Sequence, residues 1–229
     1  MKFGKRLELI ASKISKNHTV IDIGTDHAYL PIYLINEGIS RKVIATEILP
    51  GPYGRARENI KKVGLEGFIE LRLGSGFNPI KPKEGDIAVI AGMGAMTIKN
   101  ILNESREKVC FFKKLILQPM RNQEKLRKYL LTTGYEIIDE DVAFEDKKYY
   151  EITVVKKAQK HLDPFDEIDV LVGPVMRKKR TPVVIEYINH RMKILQNLIE
   201  SLNASNSEVG QRALKKYENQ LKALREVVK

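Results

Sequence analysis

Two carboxylates and an imidazole crowd into Val20-Ile21-Asp22-Ile23-Gly24-Thr25-Asp26-His27-Ala28-Tyr29-Leu30-Pro31. An apolar, β-branched run delivers Asp22 and Gly24 to a turn, and a helix-like pattern follows. A parallel α/β sheet presents an adenosine-containing cofactor in this way, at the C-terminal end of its first strand. Gly24 alone says little, since it can admit a ligand or merely close a tight turn. The pyrophosphate fingerprint G-x-G-x-x-G is not met, because position 26 is Asp and position 29 is Tyr. A carboxylate where a diphosphate would rest on a helix N-terminus sets like charges against each other. S-adenosylmethionine reverses that argument, because its sulfonium and α-amino groups are cationic. Charge therefore favours a methyl donor over a nicotinamide dinucleotide.

Further residues fall at comparable places. Glu47 closes the run Val43-Ile44-Ala45-Thr46-Glu47, where an acid about 20–25 residues past the glycine turn can accept hydrogen bonds from ribose hydroxyls. Gly74 and Ser75 follow another apolar run and could bring backbone amides to an adenine edge. Gly92, Met93 and Gly94, with Met96 beyond them, open space where ligands of such sheets sit; the methionines serve equally well as core packing. No Asn/Asp-Pro-Pro-aromatic tetrapeptide occurs here, which weakens a reading as an exocyclic-amine methyltransferase. Gln118 and Arg121 end a fifth run and could face the cleft. Tyr149 and Tyr150, beside Lys147 and Lys148, suit RNA, which is held by stacking and phosphate contacts. Arg177-Lys178-Lys179-Arg180 reads as a solvated charge run or as a phosphate-binding patch.

The elements that must position these residues follow from periodicity. Leu7, Ile10, Ala11 and Ile14 have helical spacing and predict an opening amphipathic helix. Strands are expected at 19–23, 42–47, 69–73, 87–91, 114–118, 136–144 and 150–156, and helices at 28–36, 51–63, 96–102 and 122–133. That alternation argues for βαβ units and a mostly parallel sheet. The last two strands are too close for a crossover and must form an antiparallel hairpin. Composition shifts near 158–169. Beyond it Ile185, Ile188, Met192, Leu195, Ile199 and Leu202 form a heptad seam, and Leu214, Tyr217, Leu221, Leu224 and Val228 form a second. A capping box, Ser205 with Glu208, sits in the linker between them. The expected division is 1–157 as a cofactor-binding α/β domain and 158–229 as an α-helical coiled-coil hairpin.

Formal charge is +11, with 40 Lys+Arg against 29 Asp+Glu. Such an excess favours a polyanionic partner, nucleic acid first. The single Cys110 excludes an internal disulfide and fits a reducing cytosol. The four histidines lack metal-ligand spacing, so no metal is expected. Nothing reads as a signal peptide or a membrane span. The expectation is a cytoplasmic monomer.

VIDIGTDHAYLP, followed by IATEILPGPYGRARENI, RLGSGFNPI, DIAVIAGMGAMTI and LILQPM, resembles the bacterial tRNA (adenine(22)-N1)-methyltransferase family, TrmK. The resemblance implies a class I Rossmann-like domain that binds S-adenosyl-L-methionine, with a coiled-coil domain helping to grip tRNA. It places Asp22, Gly24, Asp26 and His27 on the first cofactor motif and Glu47 on the ribose-binding acid. Gly74 and Ser75 fall on the adenine-side turn, and Gly92, Met93 and Gly94 beside the target base. Adenine N1 has an in-plane lone pair, so alignment carries much of the reaction. A carboxylate near the base can stabilise its developing positive charge. Asp26 is the first candidate, with His27 or Tyr29 orienting the base or handling the N6 proton. The alternatives are methylation of another RNA, a non-catalytic RNA-binding protein that retains a cofactor pocket, and a nicotinamide-dependent oxidoreductase, against which Asp26 argues.

Overall fold

Strands that must lie buried on both faces read as continuous apolar runs, and four such runs build the centre of this molecule. The computed structural model describes residues 3–158, 164–203 and 208–229. The chain divides into two compact units, Met1–Leu162 and Asp163–Lys229. In the first, the strands are β1 (Val20–Ile23), β2 (Val43–Glu47), β3 (Ile69–Leu73), β4 (Ile87–Met93), β5 (Lys114–Pro119), β6 (Tyr135–Glu145) and β7 (Lys148–Lys157). The helices are α1 (Lys5–Ser12), α2 (Tyr29–Asn36), α3 (Pro50–Lys62), α4 (Ala95–Glu104), α5 (Arg106–Val109) and α6 (Gln123–Thr132). The sheet runs β3-β2-β1-β4-β5-β7-β6. β1 to β5 are parallel, and β7 is antiparallel to both β5 and β6. This is the Rossmann-like sheet with an antiparallel C-terminal hairpin that the sequence predicts. Asp146 and Lys147, both at positive φ, make the two-residue hairpin turn.

Side chains alternate between two apolar layers. Ile21, Ile23, Ala88, Ile90, Leu115 and Leu117 pack under α4 and α6. Val20, Val43, Ala45, Ile87, Val89 and Ile116 pack under α1, α2 and α3. The same alternation puts Asp22 and Gln118 on the second face, where both are buried. They are polar groups near the carboxyl ends of strands that are otherwise apolar, so something specific must satisfy them. β4 runs two residues past its predicted end because its register shifts between Ala91 and Met93. Gly92, at φ +77°, is the bulged residue.

In the second unit, α7 (Glu167–Leu171) begins with a capping box between Asp166 and Asp169. It is followed by α8 (Pro182–Asn203) and α9 (Glu208–Val228). The two long helices pack along each other as a hairpin. Ile188, Leu195, Leu221 and Leu224 of the expected seams are buried, and the other seam residues are half-buried. Val184 and Tyr187 are buried as well, so α8 uses a face wider than one heptad stripe. Gln220 donates from Nε2 to Glu167 Oε1 at 2.8 Å, tying α9 to α7. The Ser205–Glu208 capping box falls outside the described residues. Among the described residues no helix is long and apolar enough to cross a membrane.

The hairpin is fastened to α6 by buried ions as well as by apolar packing of Leu126, Tyr129 and Leu130 on Tyr135 and Val155. Arg127 meets Glu140 of β6 through Nε at 2.9 Å and Glu151 of β7 through Nη2, and all three side chains are buried. Removing one partner from such a cluster leaves uncompensated buried charge. Arg127→Ala is therefore expected to destabilise the first unit by about 3–5 kcal/mol. Urea unfolding of wild type and variant checks this, and an unchanged midpoint would contradict it.

Candidate functional site

Three turns at the carboxyl edge of the sheet are held together by one residue. Glu47 is buried at the end of β2. Its Oε1 accepts from the amides of Ile48 (2.8 Å) and Leu49 (3.0 Å), and its Oε2 from the amide of Asp26 (3.1 Å). Its carbonyl accepts from the amide of Gly74 at 2.8 Å, while the Thr46 carbonyl accepts from Gly24 and Thr25, both at 2.9 Å. The turns after β1, β2 and β3 thus form one hydrogen-bonded unit.

The turn after β1 is tightly specified. Gly24 has φ +72°, and a side chain there would run into the methyl group of Met93. Asp26 (φ +52°) and Ala28 (φ +58°) are also left-handed, unusual for residues with a Cβ. The Ala28 methyl is wholly buried in the layer under α1–α3. Asn59 of α3 donates to the His27 carbonyl at 3.0 Å. The Asp26 carboxylate lies 3.6 Å from His27 Nε2 and 3.7 Å from an Arg55 guanidinium nitrogen. The His27 and Tyr29 rings stack with centroids 5.2 Å apart and planes 12° from parallel.

This turn borders an open cavity of about 480 Å³, lined on one side by Asp22, Gly24, Thr25, Asp26, His27 and Tyr29. Burial pushes the Asp22 carboxyl up to about 6; the neighbouring Thr25 hydroxyl opposes that shift and the charge of Glu47 adds to it. Thr25 Oγ1 is itself buried and, although near enough to favour the Asp22 anion, reaches bonding geometry with no atom among the described residues. A buried carboxyl with a raised pKa and an unpartnered hydroxyl suit a small cationic group bearing N–H donors. The α-amino end of S-adenosylmethionine fits that description.

The opposite wall comes from elements far away in the chain. It contains Arg6 of α1, Gly92 and Met93 of β4, Met120 after β5, and Glu145 and Tyr150 of the hairpin. The bulge frees the Gly92 amide from the ladder, and Gln118 Oε1 takes it at 3.1 Å. The same oxygen accepts from Arg6 Nη1 at 3.0 Å. Arg6 also donates its own amide to Glu145 Oε2 at 2.8 Å, and its guanidinium lies 5.5 Å from the centroid of the Tyr150 ring. Among the described residues no three His, Cys, Asp or Glu side chains gather so as to hold a metal.

Of the residues singled out from sequence, Asp22, Gly24, Asp26, His27, Tyr29, Gly92 and Met93 line this cavity. Glu47, Gly74, Ser75 and Gly94 do not. Glu47 lies behind the wall with three of its acceptor positions occupied. Gly74 uses its amide on Glu47, and Gly94 caps the start of α4. Gln118, expected to face the cleft, is instead wholly buried behind Gly92. Met96 is exposed outside the cavity. Tyr149 packs on Phe144, with ring centroids 4.6 Å apart, so only Tyr150 of the expected aromatic tip reaches the site. Arg6 and Glu145 carried no local signal, because only the docking of α1 against the hairpin brings them together.

Comparison with known proteins agrees with this geometry. The family model for TrmK, tRNA (adenine(22)-N(1))-methyltransferase, matches residues 20–226. A tRNA (adenine(22)-N(1))-methyltransferase of Bacillus subtilis (strain 168) is 33% identical over 233 residues, covering 100% of this chain and 98% of the relative. The crystal structure of the B. subtilis M1A22 tRNA methyltransferase TrmK matches with a TM-score of 0.86 at 33% identity, covering 100% of this chain and 99% of that one. Streptococcus pneumoniae Sp1610, solved in complex with S-adenosyl-L-methionine, matches with a TM-score of 0.85 at 33% identity over 100% of both chains. The family match spans both units and the identity runs the full length, so this chain belongs to the TrmK family of tRNA (adenine(22)-N(1))-methyltransferases.

Proposed function

We propose that this protein transfers a methyl group from S-adenosyl-L-methionine to N1 of adenine 22 in the D-arm region of tRNA. The observation that carries the reading is the buried acidic turn, where Asp22 and the unpartnered Thr25 hydroxyl face a cavity. A diphosphate would be repelled there and a cationic methyl donor is favoured. S-adenosylmethionine, when bound, supplies the electrophilic methyl group. Asp22 and Thr25 hold its amino end, and Gly24 gives backbone access. Glu47 fixes the turns and keeps one acceptor position for a ribose hydroxyl. Gly74 and Ser75 border the adenine end, and Gly92, Met93 and Gly94 border the methyl and the target base.

The target adenine must leave its stack to present N1. His27 and Tyr29 form a ready platform for it, and Asp26 supplies negative charge as the base becomes cationic. Arg55 holds the Asp26 carboxylate toward the turn at 3.7 Å. The helical hairpin of the second unit contributes to tRNA binding. The working form is a cytoplasmic monomer, the oligomeric part of which light scattering checks.

The direct test incubates unmodified tRNA transcripts with S-adenosylmethionine and maps the product by primer extension. A stop at position 22 that vanishes in a transcript carrying guanine there is expected. Methylation elsewhere, or none, would overturn the reading.

Cofactor affinity should depend on pH through Asp22, whose anion is the binding form. The free protein holds this carboxyl at about 6, so binding releases a proton below that value. Raising pH from 5 to 7 is expected to tighten binding about tenfold, read by calorimetry. Asp22→Asn should bind weakly and lose this dependence. The sign for folding is opposite to the usual carboxylate case. A folded pKa raised above the unfolded value favours the native state at low pH, and that contribution is lost as pH rises through about 6.

Asp26→Asn is expected to lower kcat by about tenfold or more while leaving cofactor affinity within about twofold. Full turnover with unchanged cofactor affinity would remove Asp26 from the catalytic role.

A further inference from the structure

The positive charge of this chain is shared between the two units in proportion to their lengths. Met1–Leu162 holds 28 of the 40 Lys+Arg and 20 of the 29 Asp+Glu, so it carries +8 of the net +11. The basic run of the helical unit is also partly spent: Arg177 contacts Asp166 and Asp169, each at 2.8 Å. In the first unit many cations are consumed in the same way. Lys13 pairs with Asp139 and Asp141, Arg72 with Glu70 and Glu84, Lys113 with Asp86, and Arg127 with Glu140 and Glu151.

Beside the cavity lies a basic surface whose cations are not consumed in this way. Arg121, Lys125 and Lys128 are exposed along the start and outer side of α6, and no carboxylate among the described residues pairs with them. Lys99 of α4 joins them, its Nζ 5.5 Å from the centroid of the Tyr129 ring on α6. Glu124, the acid within this stretch, is half-buried and already engaged. The patch adjoins the cavity. The Arg121 carbonyl accepts from the amide of Ala95 at the start of α4 at 3.3 Å, and the Arg121 side chain lies against Gly94. Its neighbour Met120 lines the cavity, and Met96 is exposed on the first turn of α4. Arg121 lies just before the first turn of α6, and from Gln123 to Lys128 the helix advances roughly 8 Å, so the three cations suit a short run of backbone phosphates. The cations of α3 are different: Arg55 is held by Asp26, while Arg57 and Lys61 share their surface hollow with Glu66.

We infer that the α4–α6 face, through Arg121, Lys125, Lys128 and Lys99, binds the tRNA phosphodiester backbone beside the extruded adenine. Met96 and Met120 provide apolar ground between that track and the cavity. Phosphate contacts of this kind fix register and orientation without reading sequence. The inference rests on the tRNA reading above and assigns the strand a place on the first unit.

The test compares two full-length triple variants of equal charge. Arg121→Ala/Lys125→Ala/Lys128→Ala should weaken tRNA binding roughly tenfold or more at moderate salt. It should also make the slope of log K against log salt shallower by about two to three, with S-adenosylmethionine affinity unchanged as the control for folding. Arg57→Ala/Lys61→Ala/Lys62→Ala should leave the slope near the wild-type value, and restoring Arg121 as Lys should recover part of the loss. An unchanged slope in the α6 variant, or equal losses in both variants, overturns the assigned surface. Failure of wild-type protein to methylate tRNA overturns instead the functional reading beneath it.

Discussion

The site depends on where the Glu47 carboxylate finds its hydrogen bonds. Strands of a parallel sheet end with their last amides and carbonyls unpaired, and the loops beyond must satisfy them or lose order. Glu47 resolves this for three neighbouring turns at once, accepting three amides on its side chain and the Gly74 amide on its carbonyl. The acidic turn is therefore positioned by an acid that does not itself line the cavity. Bonds from amides to a carboxylate are charge-assisted and stronger than neutral ones, which suits a residue that must fix geometry for several segments.

The two walls of the cavity answer different electrostatic demands. Asp22 and Asp26 make one wall acidic. On the other, Arg6 is held by Gln118 and faces Tyr150, with Glu145 receiving its amide. The Gly92 bulge links them, because the amide it removes from the ladder needs a new acceptor and Gln118 is the buried group that supplies it. Such a space offers both signs of charge to a zwitterionic amino-acid moiety, and the rings of Tyr29 and Tyr150 to a flat base. The helix that starts the chain and the hairpin that ends the sheet are thus parts of the site as well as of the scaffold.

Most of the sheet was legible because period-two alternation and near-continuous apolar runs leave few alternatives for Val20–Ile23, Val43–Glu47 or Ile87–Met93. The acidic turn was legible for a different reason: Asp26 contradicts phosphate chemistry at a place where glycine is usual. What stayed hidden was long-range. Arg6 and Glu145 are 139 positions apart, and no local pattern records that α1 docks on the hairpin. Gln118 lies at the expected strand end, but strand alternation turns it inward, and the amide it accepts there is freed only by the bulge at Gly92. The heptad seams of α8 and α9 mark Ile188, Leu195, Leu221 and Leu224 of the buried face but miss Val184, Tyr187 and Gln220.

Ala28 has one more consequence. A left-handed alanine is costly by itself, and it persists here because its methyl is embedded in the layer under α1–α3. Asp26 and His27 precede that anchor directly, so the turn can reorganise only by drawing a methyl out of the core. The ligand therefore meets a template ordered before it arrives, and little chain entropy remains to be lost on binding. The heat capacity change of cofactor binding should accordingly reflect only the surface the ligand covers, without the larger signature of coupled folding.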